Sequence, residues 1–155
     1  GIINPEYEGD LPLSVLQQEN GVFSEVREEF GFTQQGSFRS IIPLHWNDDG
    51  ILDYWITEAE QASHLMLSNG CSENHWLYFT GPNHSAVQFS VDGNTVYGEL
   101  RNGSSYAASR SAFWHVGLAE HAQITNLQIR FPGEDWKEIA DVFPASQHVS
   151  LLEYR

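Results

Sequence analysis

The loop at residues 45–53 has the residue types and the spacing of a calcium-binding loop. Such loops place oxygen ligands at alternate positions around one cation, and a glycine allows the sharp turn between them. The predicted ligands are His45, Asn47, Asp49, the backbone carbonyl of Ile51, and Asp53. The leading histidine replaces a carboxylate with a nitrogen, which is a poor ligand for a hard cation, so we expect weak affinity. The alternative is an empty loop whose side chains cap backbone amides in an Asx turn.

Glycines mark the predicted turns. Gly50 stands where this loop turns sharply, so we predict a positive φ and a loss of stability on substitution with valine. Gly103 lies in a similar context and receives the same prediction. Asp92, Gly93 and Asn94 are predicted to form a tight hairpin, because Gly93 and Asn94 tolerate positive φ.

Other reactive side chains occur without a pattern that specifies a reaction. Serine, histidine and aspartate are frequent, but no Gly-x-Ser-x-Gly elbow supports a hydrolase triad. The spacings of His75 from Cys71 and of His121 from His115 do not match a closed zinc site. Neighbouring acidic residues are typical of a solvated face, and no phosphate loop is present. We therefore predict that the chain is not an enzyme.

The 5 tryptophans could stack against sugar rings. Trp55, Trp76 and Trp114 fall within predicted strands, which favours packing in the core. Trp46 and Trp136 fall in predicted loops and are the candidate glycan contacts.

The chain is strongly acidic, with 21 Asp and Glu against 7 Lys and Arg and a formal net charge of -14. This balance argues against nucleic acid as a partner, because phosphate binding needs clustered cations. Anionic membrane surfaces are disfavoured for the same reason. An acidic excess suits divalent cations or solubility. The hydrophobic fraction of 41% is enough for a packed core.

Processing signals are few. No apolar run is long enough to span a membrane, and no signal peptide is visible. Cys71 is a single cysteine, so it has no partner for a disulfide within the chain. Asn83 and Asn102 begin Asn-x-Ser sequons, which are glycosylated only in a eukaryotic secretory pathway. The chain opens with Gly1 rather than methionine, so we expect a processed or excised piece of a longer protein.

Short alternating apolar segments separated by Gly, Asn and Asp predict an all-β fold. The predicted strands lie at 13–17, 38–43, 53–57, 64–68, 76–80, 86–91, 96–100, 112–115, 123–130, 137–140 and 148–154. Residues 22–30 are predicted either as a short helix or as a strand followed by one turn.

The last third of the chain resembles the ASPIC/UnbV domain, whose name includes acidic secreted cartilage protein. The resemblance is carried by GELRNGSSY at 98–106, SRS at 109–111, WHVGL at 114–118, FPG at 131–133 and a closing strand at 149–153. The family pattern is Gly-Ser-Tyr-x-Ser, then a His-Phe-Gly-Leu-Gly turn, then a strand that ends in Trp-Pro-x-Gly. His115 is the turn histidine in this resemblance, whereas Val116 and Ala119 depart from the pattern. A buried, hydrogen-bonded structural role is expected for His115.

The first half resembles an integrin-like FG-GAP repeat of the VCBS type, which often precedes that domain. The segments at 4–12 and 45–53 are both oxygen-rich loops with a glycine at the sixth position. The resemblance implies a partial propeller-type repeat at 1–74 and an ASPIC/UnbV-like β-sandwich at 75–155, similar to the C-terminal region of cartilage acidic protein-like proteins. It also implies an extracellular or cell-surface location.

A partial repeat leaves open sheet edges, because a propeller needs several four-stranded blades. Open edges invite pairing, so we predict that the amino-terminal strands contact another chain over about 1,000 Å² or more. The apolar residues expected to contribute are Leu11, Leu13, Val15 and Leu16. The expected function is a non-enzymatic adhesion or assembly module. The alternative is a carbohydrate-binding module or a remnant of a polysaccharide-active enzyme.

Overall fold

The computed structural model describes residues 11–59, 61–69, 73–105 and 108–155 of the chain. These residues form short β-strands and a 3-10 helix, with no α-helix among them, so the all-β prediction is confirmed. No helix in this part of the chain is long and apolar enough to cross a membrane. Residues 4–10 of the predicted oxygen-rich loop copy at 4–12, together with Cys71 and Tyr106, lie outside the described residues.

The first half of the chain forms three small sheets. Its strands are β1 (Leu11–Pro12), β2 (Leu16–Glu19), β3 (Val22–Glu25), β4 (Gln35–Gly36), β5 (Phe38–Leu44), β6 (Asp53–Glu58) and β7 (His64–Met66). β5, β6 and β7 form an antiparallel meander, whereas β1 pairs with β4 and β2 pairs with β3. Within the described residues these sheets do not close into a propeller.

The second half forms a two-layer β-sandwich. Its strands are β8 (His75–Thr80), β9 (Ala86–Val91), β10 (Asn94–Glu99), β11 (Ser104–Ser105), β12 (Ala108–Ser109), β13 (Phe113–Ala119), β14 (Gln123–Arg130), β15 (Lys137–Pro144) and β16 (Gln147–Ser150), and the 3-10 helix Leu151–Tyr154 follows. One layer has the order β10-β9-β14-β15, and the other has the order β13-β8-β16. β16 runs parallel to β8, and the other neighbours in the two layers are antiparallel.

The main core lies between these two layers, because alternate residues of each strand point inward. Phe79 of β8 stacks on Phe89 of β9 with 6.2 Å between ring centroids, and Trp114 of β13 lies 5.7 Å from Phe79. The other buried residues of this cluster are Leu77, Val87, Leu100, Ala112, Leu118, Ile124, Leu127, Ile129, Phe131, Val149 and Leu151. Since burial of apolar surface is the dominant stabilising contribution to folding, the sandwich supplies most of the chain's stability.

The predicted hairpin at Asp92-Gly93-Asn94 is confirmed, whereas the positive φ predicted for Gly103 is wrong. The β9–β10 hairpin turns at Asp92 (φ 48°) and Gly93 (φ 76°), because Asn94 already pairs with Val91 as the first residue of β10. Gly103 does not adopt a positive φ, since it leads directly into β11. Both strands begin close to a glycine, since β10 starts at Asn94 rather than at the predicted residue 96 and β11 starts directly after Gly103.

The first half of the chain exposes much of its apolar surface. Residues 22–30 form a strand followed by a turn, as one of the two alternatives predicted. The buried apolar residues here are Val26, Phe32 and Ile56, whereas the exposed large ones are Leu16, Val22, Phe23, Phe30, Ile41, Trp46, Trp55 and Leu67. Trp55 is 38% exposed, so its predicted place in the core is wrong, because no described segment covers that face of β6. Of the predicted assembly residues, Leu16 is exposed, and Leu13 and Val15 are half-buried.

Candidate functional site

A buried carboxylate holds the loop between β5 and β6. Asp53 is fully buried, and its two oxygens accept N–H groups from Trp46 at 3.0 Å and Ser68 at 2.9 Å. The Ser68 hydroxyl also donates to the carbonyl of Leu52 at 2.6 Å. A carboxylate this deeply buried requires such partners, and they tie the loop to the segment that follows β7.

The middle of the loop is closed by its own side chains. Asn47 Nδ2 donates to Asp49 Oδ2 at 2.8 Å, and Asp49 Oδ1 accepts the N–H of Ile51 at 2.8 Å. The N–H of Asp49 lies 3.4 Å from Asn47 Oδ1. This is the Asx-type arrangement in which short polar side chains replace backbone partners in a turn.

His45 packs into an aromatic cluster on the outer face of the β13-β8-β16 sheet. Its ring stacks on Tyr78 at 4.7 Å between centroids and lies 4.9 Å from Trp76 and 5.5 Å from His115. The side chain is 1% exposed, and Nδ1 lies 3.4 Å from Oδ1 of Asp48. No described residue bonds to the buried Nε2. His45 therefore anchors the loop to the sandwich by ring packing.

Gly50 makes the second contact between the loop and the sandwich. Its φ is 88°, which confirms the predicted turn, and a Cβ at this position would overlap the indole of Trp76. The carbonyl of Gly50 lies 3.0 Å from His115 Nε2, so the N–H tautomer of that nitrogen donates to it. His115 is hydrogen-bonded, as expected, but it is half-buried rather than buried.

The surroundings of His115 favour its neutral ring. Burial lowers the pKa of His115 most strongly, and the nearby His45 ring lowers it further when it is charged. The bond to the Gly50 carbonyl favours the charged ring and only partly offsets these effects. A neutral imidazole at this contact still donates one N–H, so docking of the loop does not need a charge.

The structure brings Asn47 and Asp49 together but engages two of the other predicted calcium ligands, His45 and Asp53, elsewhere. Asp53 is occupied by two backbone amides, and His45 lies among aromatic rings. The N–H of Ile51 serves Asp49. Among the described residues, no three His, Cys, Asp or Glu side chains form a group that could hold a metal ion. The residues present fit a closed turn better than a cation site, and calcium binding stays a prediction.

We predict that calcium raises the melting temperature only at millimolar concentration, because the ion must first displace hydrogen bonds of the Asp49 carboxylate. Asp49→Ala should abolish the rise, whereas Asp135→Ala, which removes an equal exposed charge outside the loop, should leave it unchanged. Melting curves in calcium and in magnesium at matched ionic strength measure the effect. A rise that persists in Asp49→Ala, or no rise in the native chain, contradicts the prediction.

The two candidate glycan contacts lie in loops, as predicted, but on opposite sides of the molecule. Trp46 is 60% exposed in the 45–53 loop, which covers the outer face of the β13-β8-β16 layer. Trp136 lies at the four-stranded layer, where the Arg130 guanidinium is 4.9 Å from its ring centroid and the Tyr97 ring stands edge-on at 6.2 Å. The two tryptophans therefore do not form one platform. Trp114 packs in the core as predicted, whereas Trp76 lies beneath the 45–53 loop.

The two sequon asparagines are neighbours in space. The N–H of Asn102 donates to Oδ1 of Asn83 at 3.0 Å. Asn83 is half-buried and engaged in this bond, whereas Asn102 is exposed. Asn102 is thus the more accessible of the two glycosylation positions.

Sequence reasoning misses the aromatic cluster that receives the loop. Trp76 and Tyr78 alternate with Leu77 and Phe79 along β8, so both faces of that strand are apolar or aromatic. A strand of this composition is expected to be covered on both faces. That signal could have indicated a cover over the outer face, but it does not identify the 45–53 loop as the segment that provides it.

Residues 84–154 match the model of the family described as ASPIC and UnbV. The chain therefore contains an ASPIC/UnbV domain, and the match covers β9 to β16 but leaves out β8, the middle strand of one layer. Searches among curated proteins and among solved structures found no match. The likeness of the first half to an FG-GAP repeat, and the likeness to cartilage acidic protein-like proteins, stay interpretations of the sequence.

Proposed function

We propose that the chain is a non-enzymatic adhesion or assembly module, at the cell surface or outside the cell, that associates with a second copy of itself through the hairpin β2–β3. The observation that carries this proposal is the full exposure of the hairpin. The extracellular setting follows from the resemblance of the sequence to secreted and integrin-like families. A net charge of -14 would keep such a module soluble before it assembles.

All residues of β2 and β3 are exposed. They include the apolar side chains of Leu16, Val22 and Phe23, the last of which is 63% exposed. An isolated two-stranded hairpin is at best marginally stable in water. Leu16 and Phe23 share one face of this hairpin and Val22 lies on the other, and large apolar residues that lie together on a surface typically mark an interaction site. The hairpin would therefore gain stability by packing against another chain.

The hairpin also has unpaired edges. Among the described strands, β2 and β3 pair only with each other, so each presents a row of backbone N–H and C=O groups on its outer side. A second copy offers the same edge, and a twofold axis pairs like with like in an isologous interface. Main-chain hydrogen bonds would set the register, and the apolar side chains would supply the buried area.

A second candidate function is carbohydrate binding, favoured by the aromatic residues at the four-stranded layer. Tyr97 is exposed beside Trp136, and Arg130 adds hydrogen-bond donors next to them. Arg130 also covers part of the Trp136 ring, so Tyr97 is the more accessible stacking surface. A glycan array separates the two functions. Binding of a glycan by a chain that shows no self-association would favour carbohydrate binding over assembly.

Sedimentation at micromolar concentration tests the assembly proposal. We expect the native chain to associate and the double variant Val22→Ser/Phe23→Ser to sediment as a monomer, because the variant loses the apolar area that the interface would bury. The matched control is Val142→Ser/Leu152→Ser, which alters two residues of similar exposure on the sandwich and should associate like the native chain. A monomeric native chain, or equal loss of association in the control, would overturn the proposal.

A further inference from the structure

We propose that a groove beside the 45–53 loop binds an extended peptide segment of a partner protein in which Lys or Arg alternates with apolar residues. The groove has a volume of about 1000 Å³, at the upper end of the range for ligand pockets. Its walls are the turn after β3, the β5–β7 meander, the 45–53 loop and the outer face of β8 and β13. This site is separate from the self-association proposed for β2–β3, although Leu16 borders both.

The groove collects exposed apolar side chains of the first half. Leu16, Phe30, Ile41 and Leu67 all line it, and Phe30 is 57% exposed. Trp76 lies on the sandwich side of the same groove. Exposed apolar residues that converge on one concavity, rather than lying singly, mark a binding site for apolar groups. Side chains of a ligand would displace water from these surfaces.

Carboxylates line the groove without any Lys or Arg to balance them, and the lining also includes His75 and His115. The carboxylates are those of Glu28, Glu29 and Asp49. Among the described residues, no basic side chain forms an ion pair with any of these three carboxylates. The net charge of -14 extends this field beyond the groove. A cationic ligand is therefore attracted to this groove.

The edge of the meander favours a peptide as the ligand. β7 pairs only with β6 among the described strands, and Met66, its last residue, lines the groove. An extended peptide can add a strand to such an edge through main-chain hydrogen bonds. Its side chains then alternate between two faces, so apolar residues would enter the groove while Lys or Arg meets the exposed carboxylates at the rim.

Fluorescence anisotropy with labelled peptides tests the proposal. The probe is Gly-Leu-Lys-Phe-Lys-Leu-Gly, and its two controls replace both Lys with Glu or all three apolar residues with Ser. The protein is the full chain carrying Val22→Ser/Phe23→Ser, so that the result does not depend on self-association. We expect saturable binding of the basic apolar peptide, with affinity that falls as salt rises, and much weaker binding of both controls.

Variants of the groove locate the binding. Glu28→Gln/Glu29→Gln should lower the affinity for the basic peptide about twofold to tenfold, as expected for the loss of two exposed charges. Phe30→Ala should lower the affinity for the basic peptide by about tenfold, because it removes part of the apolar surface that the peptide would cover. The matched control Glu134→Gln/Glu138→Gln removes two exposed charges from the sandwich. It measures only the effect of reducing the overall negative charge, so it should lower the affinity less.

Three results would overturn the inference. The first is equal binding of the basic and the acidic peptide, which would show that charge plays no part. The second is equal loss of affinity in the groove variant and in the sandwich control. The third is the absence of peptide binding together with self-association of the native chain that Phe30→Ala abolishes, which would assign the groove to a second copy of this chain.

Discussion

Gly50→Ala is expected to lower the free energy of unfolding by about 2–4 kcal/mol and to detach the 45–53 loop from the sandwich. Part of this cost, about 1 kcal/mol, comes from the φ of 88°, which a residue with a Cβ resists. The rest, about 1–3 kcal/mol, comes from overlap of the new Cβ with the indole of Trp76. Trp76 is confined by the His45 ring at 4.9 Å, so it cannot move aside without disturbing the cluster.

Gly133→Ala is the matched control for this experiment. Gly133 also has a positive φ, 78°, but a Cβ there would meet no atom within 4 Å. Its substitution should therefore cost only the backbone contribution of about 1 kcal/mol. Urea denaturation of both variants measures the difference, which isolates the contact with Trp76. Equal losses for Gly50→Ala and Gly133→Ala would show that the loop is not packed on the sandwich in solution.

A double-mutant cycle strengthens the comparison. If overlap with the indole causes the extra loss, Gly50→Ala should cost less in a Trp76→Ala background, where the ring is absent. The cost there should approach that of Gly133→Ala. Because the added Cβ at residue 50 would overlap the indole of Trp76, the cycle should show coupling of about 1 kcal/mol or more between these two positions.

Local patterns predict the positions of most strands of the sandwich, but the predicted closing strand at 148–154 is wrong beyond Ser150, because residues 151–154 form a 3-10 helix. The strands at Ala86–Val91 and Gln123–Arg130 have the predicted bounds, because apolar residues alternate with polar ones over most of each strand, although the alternation in Gln123–Arg130 is interrupted at Asn126. β15 extends to Pro144, beyond the predicted end at 140, since its edge position tolerates polar residues and a terminal proline. Strand ends are the less certain part of such reasoning because the pattern fades there.

Contacts between distant segments could not be predicted in the same way. The composition of β8 indicates that both of its faces are covered, yet nothing local specifies β16 as its parallel neighbour or the 45–53 loop as its cover. His45 illustrates the consequence. Its position in the loop pattern suggested a weak metal ligand, whereas the fold uses its ring to fill a space between Trp76 and Tyr78.

Gly98→Ala is expected to destabilise the sandwich by about 1–3 kcal/mol, and Gly98→Val by more, although this glycine does not have a positive φ. Gly98 is buried in β10, and a Cβ there would overlap the indole of Trp114. That indole occupies the space of the missing side chain and stacks on Phe79 at 5.7 Å and near Phe89 at 5.8 Å. Any added atom must therefore displace a ring from the centre of the core, where close packing leaves no room.

Gly117→Ala provides the contrast that makes this prediction decisive. Gly117 lies in β13 without a positive φ, is exposed, and would present its Cβ to open space. Alanine there should be neutral or stabilise by up to about 1 kcal/mol, because it restricts the unfolded chain. Near-UV circular dichroism during urea unfolding follows the tryptophan environment in both variants. If Gly98→Ala kept the native midpoint and the native tryptophan signal, the indole would not fill the space above Gly98, and the packing of β10 against β13 through Trp114 would be wrong.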